Sequence, residues 1–177
     1  MLYDVTMFRI IAAALLAAIS LPVQAQSLPD PLGAEFTPAV LAGILEGRRT
    51  QIKGVLRDQR LIAGIGNAYS DEVLHAAKMS PFKMASTLTP DQVTSLYEAI
   101  MTTLNDASKR ASGLAAGDLK AEKKTGLRVH GKTGEPCPVC GDTIREVSFA
   151  DSSLQYCATC QTGGKPLADR RLSRLLK

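Results

Sequence analysis

Apolar positions follow two different periods along this chain. Thr37 and Pro38 open a helix, a hydroxyl N-cap before a proline suited to the first helical position, and Val40, Leu41, Ile44 and Leu45 then share one face. A second apolar stretch, Ile52–Ile62, carries Lys53, Arg57 and Arg60 among its apolar positions. After Ala63-Gly64-Ile65-Gly66-Asn67 the helical spacing resumes over 68–78, with Asp71 and Glu72 in the first turn and Asn67 at the N-cap position. Pro81 breaks the pattern. Thr89-Pro90-Asp91 opens the longest helix, in which Val93, Leu96, Tyr97, Ile100, Met101 and Leu104 mark a stripe that belongs in a core.

Beyond this helix the period shortens. Ala111–Gly117 reads as a small-residue loop, Lys120–Lys124 is charged, and Leu127-Arg128-Val129-His130 reads as a strand. Ile144, Val147 and Phe149 precede the polar Asp151-Ser152-Ser153, and Leu154 and Tyr156 follow it, which predicts two short strands joined by a turn. Ser27–Phe36, rich in Pro and Gly, reads as a linker. The expected layout is a leader over 1–26, a linker over 27–36, a helical domain over 37–117 and a small β-hairpin domain with a basic tail over 118–177. The fold class is mainly α.

The leader is different in kind. Met7-Phe8-Arg9 runs into the apolar Ile10–Leu21 and then Pro22-Val23-Gln24-Ala25. One cation, a short apolar run and small residues at Val23 and Ala25 outline a secretory signal, and the run is too short to span a bilayer comfortably. Two readings stand: export with cleavage after Ala25, or an apolar leader that directs nothing.

A length of 177 residues allows one ordinary domain or two small ones. With 5% aromatic residues and no Trp, any core rests on Leu, Ile, Val and Ala. The net charge of +4 is modest, but of the 21 Lys and Arg only Arg9 precedes Arg48. After Cys160, Lys165, Arg170, Arg171, Arg174 and Lys177 are opposed by Asp169 alone. Such a tail suits a polyanionic partner, nucleic acid being the simplest, or serves as a solubilising terminus.

Four cysteines form two pairs, Cys137-Pro138-Val139-Cys140 and Cys157-Ala158-Thr159-Cys160, with sixteen residues between them. Two residues between thiolates let both sulfurs of a tight turn face one ion, and two such knuckles supply the tetrahedral sulfur set that zinc prefers. Gly141 stands where the chain must turn back sharply. Two disulfides are the alternative.

The Gly64-Ile65-Gly66-Asn67 turn offers a second chemistry. A helix beginning at Asn67 points free amide hydrogens and a positive dipole end outward, which suits a phosphate oxygen. The Asn67 amide is placed to add a bond, and Lys53 and Arg57 lie upstream where they could line the same face. Alone, the pattern fits equally a tight interhelical turn with a capping Asn.

Together these segments resemble a known family. Ile52-Lys53-Gly54-Val55-Leu56-Arg57-Asp58-Gln59 through Gly64-Ile65-Gly66-Asn67-Ala68-Tyr69-Ser70-Asp71-Glu72 resembles the helix–two-turn–helix signature of the formamidopyrimidine-DNA glycosylase / endonuclease VIII family. Gly126–Gly131, Glu135–Gly141 and Tyr156–Gln161 resemble that family's C-terminal zinc finger. The likeness runs from about Leu28 to Lys177, with the motifs in the family's order. It implies one zinc ion on Cys137, Cys140, Cys157 and Cys160, and contacts from Lys53 and Asn67 to phosphates beside an extruded nucleotide. Ser152 stands at the hairpin tip, where the family commonly has a basic residue reaching a phosphate. A Ser donates one bond but carries no charge, so weaker and less salt-sensitive binding is expected.

The family removes oxidised bases and cleaves the backbone at the resulting abasic site. Its nucleophile is the amine of an N-terminal Pro next to a catalytic Glu, on a β-sandwich domain. Here Leu2 and Tyr3 follow Met1 and no sandwich is recognisable, so no catalytic residue is assigned. The expectation is zinc-dependent binding of damaged or abasic duplex DNA by the DNA-binding half of a base-excision repair protein, without full glycosylase activity. A residual or partner-assisted glycosylase and abasic-site lyase, with a separately encoded catalytic domain, is the second reading. An exported zinc protein unrelated to DNA is the third. Zinc thiolates and repair work favour the cytoplasm over export, and no membrane partner is expected.

Overall fold

The computed structural model describes residues 28–115, 117–150 and 152–168, and leaves undescribed the side chains of Lys120, Lys123 and Lys124. The signal-like leader and Arg170, Arg171, Arg174 and Lys177 of the basic tail lie outside the described residues. The element order is α1 (Pro38–Leu45), α2 (Ile52–Arg57), α3 (Asn67–Ala76), α4 (Pro90–Ala111), α5 (Leu119–Thr125), β1 (Ile144–Ser148), β2 (Ser153–Cys157) and α6 (Ala158–Thr162). Among the described residues no helix is long and apolar enough to cross a membrane.

Local signals set the long helices. Thr37 caps α1 by accepting from Val40 N at 3.3 Å, and Leu41 and Leu45 turn into the core. Thr89 and Gln92 form a reciprocal capping box at the start of α4, each side chain satisfying the other's backbone N–H. The apolar stripe of α4 buries Leu96, Ala99, Ile100 and Leu104 against α1 and α3. The expected core stripe is therefore the observed one. Phe36, at the end of the Pro/Gly-rich stretch, is also buried in this core, stacked on Tyr97 with ring centroids 5.8 Å apart. Packing thus reaches into the segment expected to be a linker, which is further tied by Ala63 N donating to Pro29 O at 2.9 Å.

The hairpin pairs β1 and β2 antiparallel, with Ile144 opposite Cys157 and Val147 opposite Leu154. Each half of the ribbon has only a small cluster: Val129, Cys137, Ile144 and Cys157 on one side, and Val147, Leu154, Tyr156 and Ala158 on the other. Phe82 from the helical part packs against the second cluster. A core this small leans on a staple and on its neighbours.

Leu127–His130 is not a strand. The backbone N–H groups of Arg128, Val129 and His130 all donate to the Glu72 carboxylate of α3, at 2.8, 2.9 and 2.9 Å. A carboxylate rather than a neighbouring strand satisfies these donors, and a carboxylate needs no extended backbone. Lys120–Lys124, read only as charged, falls within the short helix α5.

Candidate nucleic-acid interface and metal centre

The four thiols are unpaired by disulfides, and their sulfurs all lie within 4.8 Å of one another. Cys137 Sγ is 3.9 Å from Cys160 Sγ, and Cys140 Sγ is 3.3 Å from Cys157 Sγ. A tetrahedron with zinc–sulfur bonds of about 2.3 Å has sulfur–sulfur edges of about 3.8 Å, so the cage fits one zinc ion. Two disulfides, the alternative from spacing, are not formed.

Each knuckle has its own closure. Cys137 O accepts from Gly141 N at 2.9 Å, and Gly141 takes the left-handed φ of +76° that the sharp reversal requires. The second knuckle runs from Cys157, the N-cap of α6. Asp142 joins the two, accepting from Thr159 Oγ1 at 2.8 Å and from Thr143 N at 2.8 Å. Burial pushes the Cys157 thiol up to about 11 and raises Cys160 as well, whereas a backbone N–H from Asp142 holds Cys140 below its usual value. Without a cation, Cys157 and Cys160 therefore hold their protons. Zinc binding has to displace them, and the ion supplies the charge that makes thiolates stable there.

The glycine turn before α3 is built by Gln59. Its Oε1 accepts from Gly64 N at 2.9 Å and its Nε2 donates to Ile65 O at 2.8 Å. Gly64 needs its freedom, with φ +77°; Gly66 is extended, at φ −91°, and is the N-cap. Asn67 is thus the first helical residue and not the cap expected from its type. The reason is a competing partner: Asn67 Nδ2 donates to Ser153 O of the hairpin at 2.8 Å. A Cβ added at Gly66 would meet nothing within 4 Å among the described residues, and Gly66 is exposed, so the approach to the helix start is open at that residue.

Lys53 lies elsewhere than on a surface. Its residue exposure is 5%, and Nζ donates to Asn67 O at 3.2 Å, Ser70 Oγ at 2.8 Å and Asp71 Oδ1 at 2.5 Å. An ammonium has three hydrogens, and all three have internal acceptors. Burial lowers the Lys53 pKa below the usual lysine range, against the pull of Asp71. Asp71 in turn accepts from Gln155 N at 3.3 Å and meets His130 Nδ1 at 2.7 Å through Oδ2. Ser152, at the hairpin turn, is half-buried, and its carbonyl accepts from Phe149 N at 2.7 Å. Arg57 and Arg145 are exposed.

Four polar residues of α3 thus hold the ribbon: Asn67 the hairpin tip, Asp71 and Glu72 the incoming chain, and His75 the metal centre, with Nε2 3.3 Å from Cys137 Sγ. Gln161 adds a fifth tie, donating to Met79 O at 3.0 Å. Reading the sequence missed Glu72, His75, Gln59 and Gln161 as organisers. A signal existed for one of them: His75 follows Asn67 and Asp71 at spacings of four, on one face of the helix.

Helix, turn, helix and zinc ribbon held as one unit define a class of protein, helix–two-turn–helix modules with a C-terminal zinc finger. The formamidopyrimidine-DNA glycosylase H2TH domain model matches residues 28–116, and the model of the zinc finger found in FPG and IleRS matches 134–163. The chain belongs to the formamidopyrimidine-DNA glycosylase family. An uncharacterised formamidopyrimidine-DNA glycosylase-like protein of Mycobacterium tuberculosis is 64% identical over 149 residues, which cover 84% of this chain and 93% of that one. The formamidopyrimidine-DNA glycosylase of Symbiobacterium thermophilum is 41% identical, over 81% of this chain but 49% of its own length. The solved structure of Lactococcus lactis Fpg in complex with abasic-site DNA superposes with a TM-score of 0.67 at 32% identity, covering 76% of this chain and 51% of that one. MutM from Thermus thermophilus gives 0.69 at 30% identity, covering 82% and 57%. The chain spans about half the length of these glycosylases and nearly all of the mycobacterial relative.

Proposed function

We propose that this chain is a zinc-stapled module that binds duplex DNA, favouring abasic or oxidised sites, and serves as the DNA-gripping half of a base-excision repair protein. The observation that carries this reading is the bond between Asn67 and Ser153, which holds an open helix start against the tip of the zinc hairpin. Two donors-to-phosphate surfaces so joined suit a single sugar–phosphate strand, and phosphate contacts position a duplex without reading its sequence. The likeness to Lactococcus lactis Fpg bound to abasic-site DNA supports the choice of ligand. Within this reading Asn67 and Ser152 border the strand, and Lys53 serves by bracing the Asn67 carbonyl from beneath.

The chain's contribution is grip rather than base removal. Lyase chemistry needs a free, uncharged amine. Lys53 Nζ is not free: the residue is 5% exposed and Nζ is engaged by Asn67, Ser70 and Asp71. A reducing cytoplasm is the compartment that suits four metal-bound thiolates, and recovery of a chain starting at Gln26 from a secreted fraction would argue for export instead.

The test is a fluorescence-anisotropy titration of the zinc-loaded chain against intact, abasic and oxidised duplexes, with borohydride trapping on the abasic one. Binding that weakens in Asn67→Ala and Cys157→Ser, without a covalent adduct, supports the module. A trapped adduct shifts the assignment to a lyase. Equal affinity for all variants removes the site.

A further inference from the structure

The side chain of His75 has no place in the grip on DNA, yet it is packed onto the metal centre. His75 is 2% exposed and Cys137 3% exposed, and the ring's Nε2 lies 3.3 Å from the Cys137 sulfur. Its other nitrogen, Nδ1, is buried with no hydrogen-bond partner among the described residues. A neutral imidazole carries one hydrogen. With that hydrogen on Nδ1, a buried donor would go unbonded and, once zinc has made the sulfur a thiolate, two lone pairs would face each other across 3.3 Å. With it on Nε2, the ring donates to sulfur, and only an acceptor is left without a partner. The second arrangement is the cheaper.

We propose that His75 is a positioning residue for the zinc site, its Nε2–H donating to the Cys137 thiolate. Four thiolates around one dication leave excess negative charge on sulfur, and an N–H donor directed at one of them spreads that charge. The bond also fixes the direction of the sulfur lone pair that faces the ion. Cys137 is the thiol that α3 reaches through this bond, so the helix that bears Asn67 at its start bears a tie to the metal at its end. The site is then supported from the helical part and does not depend on the two knuckles alone.

The test uses the full zinc-loaded chain and two variants, His75→Phe, which fills the space without a donor, and His75→Gln, which restores an N–H. Zinc affinity is measured by competition with a chromophoric chelator, and the cobalt-substituted proteins are compared by their sulfur-to-metal charge-transfer bands. His75→Phe should weaken zinc binding roughly ten- to a hundredfold and move the band to lower energy, since a thiolate without its hydrogen bond gives up charge more readily. His75→Gln should recover most of both. Unchanged affinity in His75→Phe, or a loss of affinity with no movement of the band, overturns the proposal and leaves packing as the role of the ring. Should His75→Phe fail to fold, nitrogen-15 NMR of the unmodified chain decides: a proton on Nε2 in the zinc form supports the bond, and one on Nδ1 overturns it. Failure of the unmodified chain to take up zinc would sink the metal site itself, a different outcome from either.

Discussion

The side-chain amide of Asn67 donates to the main-chain oxygen of Ser153 at 2.8 Å, joining residues 86 positions apart in sequence. One partner is the first residue of α3 and the other the first residue of β2, so the bond sets the distance between the helix start and the hairpin tip. Asn67 Oδ1 is buried without a hydrogen-bond partner among the described residues, which leaves Nδ2 as the group with a defined job.

Replacing Asn67 with Ala should cost about 1 kcal/mol of stability, the usual worth of one such bond. Affinity for an abasic duplex should fall more than that cost suggests, because the two contact surfaces lose their register. Urea unfolding and anisotropy on the same preparation separate the two effects, and a loss of stability with unaltered affinity would refute the register argument.

Glu72 is the second tie. Its carboxylate accepts from three consecutive backbone N–H groups, and the residue is 4% exposed. Glu72→Ala strands these donors at roughly 1–3 kcal/mol each where water cannot reach them. A destabilisation of about 3 kcal/mol or more is expected, together with faster amide exchange at Arg128, Val129 and His130. Exchange at wild-type rates would mean the loop holds its shape unaided.

Asp71 and Lys53 are buried as a pair, at 0% and 5% exposure. Removing one partner alone leaves an uncompensated buried charge, so Asp71→Asn should cost about 3–5 kcal/mol. The double change Lys53→Met, Asp71→Asn should recover a large part of it. DNA affinity of the double variant also settles how Lys53 contributes: near-normal binding fits a brace, and a large loss fits a phosphate contact.

Acid should loosen the hairpin through Glu146. Its carboxylate accepts from Gln155 Nε2 at 2.7 Å and from Ser148 and Thr133, and these bonds hold its pKa below the usual range. The folded form therefore binds its proton less readily than the unfolded one. The stabilisation is complete above the ordinary glutamate range and disappears as pH falls through the depressed folded value. Glu146→Gln should flatten this part of the stability–pH curve, as read from thermal midpoints across the acid range.

Chelation of zinc should unfold the ribbon and spare the helical core. The core over α1 to α4 has its own buried cluster, whereas each half of the ribbon has a handful of apolar residues and two of the four in one half are metal ligands. Circular dichroism should retain most helical signal after chelation while hairpin NMR resonances lose dispersion. Loss of both together would show that α3 depends on the ribbon as much as the ribbon depends on it.

Much of this arrangement was legible in order. Thr37, Pro38, Thr89 and Pro90 start helices because capping is chemistry between residues a few positions apart. The apolar stripe of α4 and the two thiol pairs are likewise local patterns, so helix positions, core face and metal ligands could be read directly. Where reading failed, a distant partner had intervened. Leu127–His130 has strand-like residues but closes on Glu72, and Asn67 has a capping side chain but extends it to Ser153. Buried polar groups must find partners, and which partner is near depends on how two surfaces meet. The amino-acid order alone determined the capped helices, the hairpin, the zinc cage and the family likeness. Only the tertiary structure decided that α3, through Asn67, Asp71, Glu72 and His75, is the element that makes helix start and hairpin a single body, because hydrogen bonds between surfaces leave no period in a chain.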